Sequence, residues 1–136
     1  MMGTAGGMGM DVTKKMTITS KVTGEVVIFD IRGEFSRVTA EVPTLSELVK
    51  SQLGNGKRRI LFDFESTGFV DSFGVSEMLA SYISVHDLGG ALKLCRVPPK
   101  LLLTLKVTGI EKVLPIYPTP EAALSAFSEL PASGAE

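Results

Sequence analysis

Cysteine and histidine are nearly missing from this chain of 136 residues, which has one of each, Cys95 and His86. A single cysteine excludes an intramolecular disulfide and any zinc site built on cysteine pairs. A single histidine excludes a multi-histidine metal centre within one chain, and a Ser-His-Asp hydrolase would have only His86 to use. An excess of either charge is missing too, since 14 basic and 15 acidic residues give a net charge of −1. A generic nucleic-acid binder would carry a basic excess, and an anionic membrane exerts no pull on this balance. No uncharged apolar run approaches the ~18 residues of a membrane span. The first residues lack the basic start and apolar stretch of a signal peptide. With its single cysteine, the chain is expected in the cytoplasm, without nucleic-acid partners or direct membrane insertion.

What is present reads as one soluble domain. Hydrophobic residues make up 44% and charged residues 21%, and at this length one core buries most of its apolar surface without a disulfide or metal. Residues 1–15 are rich in Gly and Met. No strand precedes their glycines and no helix pattern follows, so a dinucleotide-binding loop is unsupported and a flexible leader is expected. The folded domain is expected over residues 16–128, with a flexible tail at 129–136.

Met16, Ile18 and Val22 alternate with polar residues as a half-buried strand does. Thr23-Gly24 signals a turn, and residues 26–31 form a more buried strand with Val27, Phe29 and Ile31 on one face. The two predict an antiparallel hairpin that Gly33 ends. Residues 39–53 change to helical spacing through Val42, Leu45, Leu48, Val49 and Leu53. Pro43 leaves the helix start open by a turn, and Gly54-Asn55-Gly56 stops it. Residues 59–65 are a strand with Ile60, Phe62 and Phe64 on one side, residues 66–71 a short loop. Val75, Met78, Leu79, Tyr82 and Ile83 then mark an amphipathic helix ending at Gly89-Gly90. A strand at 91–95, a helix from Pro98-Pro99 to Gly109, and a strand at 113–117 follow. Thr119-Pro120-Glu121 opens a last helix with a capping residue, a first-turn proline and an acid. A hairpin followed by strand–helix alternation predicts an α/β domain with a mixed, largely parallel sheet.

Chemistry concentrates at Asp71-Ser72-Phe73-Gly74, between a buried strand and an amphipathic helix. Ser72 is placed as the helix N-cap, its hydroxyl accepting a backbone N–H one turn in. The same place tolerates a phosphoryl group, because a helix N-terminus presents free N–H groups and positive partial charge. Phosphorylation there would add roughly −1.5 to −2 charges beside Asp71, changing the surface a partner meets. His86 cannot activate Ser72 as a nucleophile within one chain: it lies 14 positions along the same predicted helix, ~21 Å away at ~1.5 Å per residue, and the nucleophile-elbow glycine is replaced by Val70. Asp63, Glu65 and Asp71 suggest a magnesium site, but no further ligand or phosphate loop accompanies them, and solvated strand-end charges explain them. Lys57-Arg58-Arg59 reads as a solvated strand entrance, Cys95 as a buried small hydrophobe, and His86 as an exposed helix-end residue.

Residues 26–35 (VVIFDIRGEF), 60–64 (ILFDF) and 69–74 (FVDSFG), with 89–94 (GGALKL) and 105–110 (LKVTGI), resemble the STAS domain of bacterial anti-sigma factor antagonists. The resemblance covers residues 16–128. It implies a mixed four- to five-stranded sheet with about four helices mainly on one face. It also implies partner switching without catalysis and without a cofactor. The unphosphorylated form binds an anti-sigma factor serine kinase of histidine-kinase-like ATPase fold and frees the sigma factor, phosphorylation at Ser72 blocks binding, and a serine phosphatase reverses it. The contact surface is expected at the loop 66–71, the start of the helix at 72–79 and the turn at 35–38, with Asp71, Phe73, Gly74, Val75, Thr67, Phe69, Phe35 and Ser36 as its residues. The family commonly has an acid where this chain has Ser36 and a small polar residue where it has Phe73. Exposed, Phe73 is an interface anchor; turned inward, it is core. The other readings are a constitutive STAS scaffold in a signalling or lipid-transport assembly, with Ser72 only a cap, and a small-molecule binder at the strand ends.

Overall fold

The computed structural model describes residues 15–128. The expected flexible leader, apart from Lys15, and the expected tail at 129–136 lie outside the described residues. Strands β1 (Thr17–Thr23) and β2 (Val26–Phe35) form the antiparallel hairpin, in a register that pairs Thr23 with Val26. Helix α1 (Leu45–Gly54), β3 (Arg59–Asp63), β4 (Thr67–Val70), α2 (Ser72–Asp87) and β5 (Ala91–Cys95) follow. Helix α3 (Pro99–Thr108), a 3-10 turn (Ile110–Lys112), β6 (Ile116–Tyr117) and α4 (Pro120–Ser128) complete the described chain. The sheet order is β1-β2-β3-β5-β6, parallel after the hairpin, with β4 also paired parallel to β2.

Alternation in the strands decides the layers. Val27, Phe29 and Ile31 of β2, Ile60 and Phe62 of β3, and Leu92 and Leu94 of β5 face one side. There they meet Leu45, Val49 and Leu53 of α1, Met78 and Val85 of α2, and Leu101 and Leu105 of α3. Phe62 stands edge-on to Phe29 at 6.0 Å and to Phe64 at 6.2 Å, contacts worth about 0.5–1.5 kcal/mol each beyond their buried area. The alternate residues Val26, Ile28, Leu61 and Cys95 pack on Ala123 and Phe127 of α4. Among the described residues, three helices thus cover one face and one helix the other. Lys93 is buried under α4, its ammonium 5.4 Å from the Tyr117 ring and 5.2 Å from the Phe127 ring.

Several boundaries differ from the sequence reading. Gly33 does not end the hairpin: β2 runs through it, with a register shift between Gly33 and Phe35 and a φ of 86° at Gly33 that suits glycine. The supposed loop at 66–71 contains β4, a sixth strand. Pro43 lies before α1, whose cap is Thr44, with Glu47 reaching back to complete a capping box. The last strand is two residues, because 110–112 wind into the 3-10 turn first. Val22 and Ile83 are exposed rather than core.

Candidate functional site

The region around Ser72 is assembled by β2 and β4. After β3, the Phe64 N–H turns to the Cys95 carbonyl (3.1 Å), and the chain returns to β2 when the Gly33 N–H donates to the Ser66 carbonyl (3.0 Å). The Thr67 hydroxyl donates to the Ile31 carbonyl, and Val70 pairs with Phe35. The Asp71 N–H then donates to the Phe35 carbonyl at 3.2 Å. This ladder delivers residues 71–74 to the edge of the core at a fixed height.

The N-cap of α2 is Asp71, not Ser72. Asp71 is extended (φ −99°, ψ −171°), and its carboxylate accepts the Gly74 N–H at 3.2 Å. Ser72 is the first helical residue, one position too late to cap. It is exposed, and among the described residues none hydrogen-bonds its hydroxyl. The hydroxyl is therefore free for chemistry while the capping is done next door.

The other residues singled out divide by burial. Phe69 is 57% exposed. Asp71, Phe73 and Val75 are half-buried. Phe73 is both core and surface: its ring meets Phe35 edge-on at 6.3 Å, and the Arg37 guanidinium lies over it at 5.2 Å. Phe35, Ser36, Thr67 and Gly74 are buried. They shape the site from below and offer a partner little or no side-chain surface in this conformation. A Cβ on Gly74 would sit 2.7 Å from Val70 Cγ1 and 2.8 Å from the Phe35 carbonyl oxygen, so only glycine lets α2 start this close to β2. Ser36 ties the turn, its hydroxyl 3.1 Å from that of Thr39. Arg37 lies within the turn at 35–38 expected at the contact surface, and Thr39, just beyond it, is the residue that the sequence reading missed. Val38 of the same turn is 92% exposed.

The carboxylates suggested for magnesium are separated. Asp71 is engaged at the cap, while Asp63 accepts two hydrogen bonds from Arg96, at 3.1 and 2.7 Å, and Glu65 pairs with the same guanidinium at 2.9 Å. Burial opposes ionisation of Asp63, but the Arg96 hydrogen bonds, a Glu65 backbone N–H and the Arg96 charge outweigh it and hold the carboxyl below its usual range. Among the described residues, no group of three or more His, Cys, Asp or Glu is placed to hold a metal ion. A pocket of about 350 Å³ on the α4 side of the sheet is lined in part by Lys21, Asp30, Arg32, Asp63 and Arg96. Arg32 pairs with Asp30 at 2.9 Å, so two of its three cations already have carboxylate partners.

Cys95 is buried, and burial together with the Asp63 charge pushes its thiol up to about 12, which leaves it protonated and unreactive. His86 stacks on Tyr82 at 5.4 Å near the far end of α2 from Ser72. Arg58 donates to the carbonyls of Leu53 (2.9 Å) and Lys57 (2.7 Å), at the end of α1, and Arg59 pairs with Glu25. No helix among the described residues is long and apolar enough to cross a membrane.

A family model described as STAS domain matches residues 17–123. An anti-sigma F factor antagonist from Paenibacillus polymyxa is 28% identical over 105 residues, covering 74% of this chain and 85% of that protein. The crystal structure of an anti-sigma factor antagonist from Mycobacterium paratuberculosis is similar with a TM-score of 0.74 at 23% identity, over 85% of this chain and 97% of that one. The Bacillus cell fate determinant SpoIIAA in its phosphorylated form is similar with a TM-score of 0.65 at 21% identity, over 82% of this chain and 99% of that one.

Proposed function

This chain belongs to the STAS domain family, and from that premise we propose that it is an anti-sigma factor antagonist that switches partners at Ser72. The observation that carries this reading is the division of work at the start of α2: Asp71 caps the helix, and among the described residues none hydrogen-bonds the exposed Ser72 hydroxyl. In this reading the unphosphorylated chain binds an anti-sigma factor serine kinase of histidine-kinase-like ATPase fold and so releases the sigma factor. The kinase holds ATP and magnesium. Ser72 Oγ forms a bond to the γ-phosphorus, the bond from that phosphorus to the departing ADP breaks, and the hydroxyl proton passes to a base supplied by the kinase. Roughly −1.5 to −2 charges then stand beside Asp71, where the kinase had accepted a neutral hydroxyl. A serine phosphatase hydrolyses the phosphoserine and restores the binding form. The chain itself supplies no catalytic residue and no cofactor, and it works in the cytoplasm.

The accessible contact surface is Ser72 with Asp71, Phe69, Val75 and the outer side of Phe73, flanked by Val38. Phe69 and Val38 are the exposed apolar groups there, and fully burying such side chains contributes about 1.5–3 kcal/mol each. Two relatives support the reading. The Paenibacillus protein is named an anti-sigma F factor antagonist, and SpoIIAA is described in a phosphorylated form.

Calorimetry against the kinase partner tests it. Ser72→Ala is expected to bind as tightly as wild type, and Ser72→Asp at least tenfold more weakly, with unchanged circular dichroism. Equal binding by all three forms would remove the switch and leave a constitutive scaffold.

A further inference from the structure

Arg37 touches the residues on both sides of Ser72. Its backbone N–H donates to the Asp71 carboxylate at 3.4 Å, and its guanidinium carbon lies 5.2 Å from the centre of the Phe73 ring. That ring also meets the buried Phe35 edge-on, so Phe73 is held between a core aromatic and a cation. The turn that carries Arg37 is fixed. The Ser36 and Thr39 side-chain oxygens each accept the other's backbone N–H at 3.3 Å, and the Thr39 hydroxyl donates to the Glu34 carbonyl. The Arg37 side chain is exposed, and among the described residues no carboxylate forms an ion pair with its guanidinium.

We propose that Arg37 reads the modification state: a phosphoryl group on Ser72 draws the guanidinium off the Phe73 ring and into a charge-assisted pair with the phosphoryl oxygens. This rests on the reading of Ser72 as the phosphorylated residue. The competition is unequal. An exposed cation over a ring interacts only with the ring's quadrupole. A phosphoryl group offers nearly two full charges and three acceptor oxygens, which the planar guanidinium fork matches two at a time. The move is a rotation of a long, flexible side chain whose backbone N–H stays bonded to Asp71, the residue before Ser72. The Asp71 oxygens accept the backbone N–H groups of Gly74 and Arg37, and among the described residues Asp71 forms no ion pair with the Arg37 guanidinium. They anchor the turn while the side chain swings.

The switch then has two parts. The phosphoryl charge is partly neutralised, and the Phe73 ring, covered by a cation in the unmodified chain, becomes bare. A partner that docks on the covered ring loses that surface as well as meeting the new charge.

Phosphoserine incorporated at position 72 during translation tests this without any kinase. A kinase that fails to modify the chain would overturn the partner-switching reading and leave this measurement standing. In phosphorus NMR titrations, the second ionisation of the phosphoryl group, ordinarily near pH 6, is expected about half a pH unit lower in the wild-type background than in Arg37→Gln. That is a roughly threefold change in proton affinity. The Arg37 side-chain N–H signal is expected upfield, over the ring, in the unmodified chain and to lose that displacement in the phosphorylated one. Coincident titrations in the two backgrounds, or an Arg37 signal that keeps its ring-current displacement after phosphorylation, would overturn the proposal.

Discussion

The Asp71 carboxylate reaches 34 positions back along the chain to Arg37: one oxygen accepts the Arg37 N–H at 3.4 Å while the other accepts the Gly74 N–H at 3.2 Å. One side chain therefore fixes the helix start and the neighbouring turn together. The Phe35 carbonyl, which receives the Asp71 N–H, closes the same frame from the sheet. Ser72 projects from this frame without being part of it.

Asp71→Ala is expected to lower stability by about 0.5–2 kcal/mol, the usual cost of losing an N-cap. Ser72→Ala is expected to stay within about 0.5 kcal/mol of wild type, as exposed positions without special contacts do. Urea denaturation of the two variants checks this, and the reverse order would make Ser72 the cap.

Gly74→Ala separates propensity from packing. Helix propensity alone would favour alanine by about 1 kcal/mol. The new methyl would meet the Phe35 carbonyl oxygen at 2.8 Å, and overpacking of this kind costs about 1–3 kcal/mol. The expected result is net destabilisation. Gly54, where an added Cβ meets nothing within 4 Å, is the control: alanine there is expected to be neutral or stabilising. Thermal melts of both variants decide.

The Asp63–Arg96 pair predicts an acid limit. The folded-state pKa of Asp63 lies below its ordinary 3.8, so the folded chain holds this proton less tightly than the unfolded one. Its contribution is complete above that ordinary value and is lost as pH falls through the lower, folded one. Asp63→Asn is expected to cost about 1–3 kcal/mol at pH 7. The gap to wild type should narrow in denaturation series taken below pH 3.8.

Cys95 predicts a silent thiol. With its pKa pushed up to about 12, a thiol-specific disulfide reagent at pH 8 should label it only in denaturant. The sign on stability is the opposite of Asp63. The contribution is complete below the ordinary value of 9.0, and stability declines as pH rises from there toward 12, because the unfolded chain ionises the thiol first. Full labelling of the native chain would contradict the burial.

The element order and the two sheet faces could be read from alternation. Val27, Phe29 and Ile31, like Ile60 and Phe62, show a period of two that no helix would tolerate. The same alternation continues to Phe35 and would have marked it as core had the strand not been ended at Gly33. β4 could not be read. Thr67-Gly68-Phe69-Val70 is short, contains a glycine and exposes two of its residues, and it becomes a strand only because β2 offers unpaired groups alongside. The cap was misplaced by one residue because Asp and Ser are about equally good N-caps. The choice falls to backbone angles that the ladder from β2 imposes. The role of Arg37 carried no local signal, since it depends on Phe73, which only the fold brings to it.

A cap that lies outside the modified residue also bears on how long the protein survives. Proteases in the cell sample the unfolded fraction, and one or two kcal/mol can change abundance several-fold. With the helix start held by Asp71, charge at Ser72 costs no cap, and a phosphoryl group at the helix N-terminus paired with Arg37 is expected to shrink that fraction. Signalling state and turnover are then coupled in one direction, and the phosphorylated form should be digested more slowly by a protease acting on the unfolded chain.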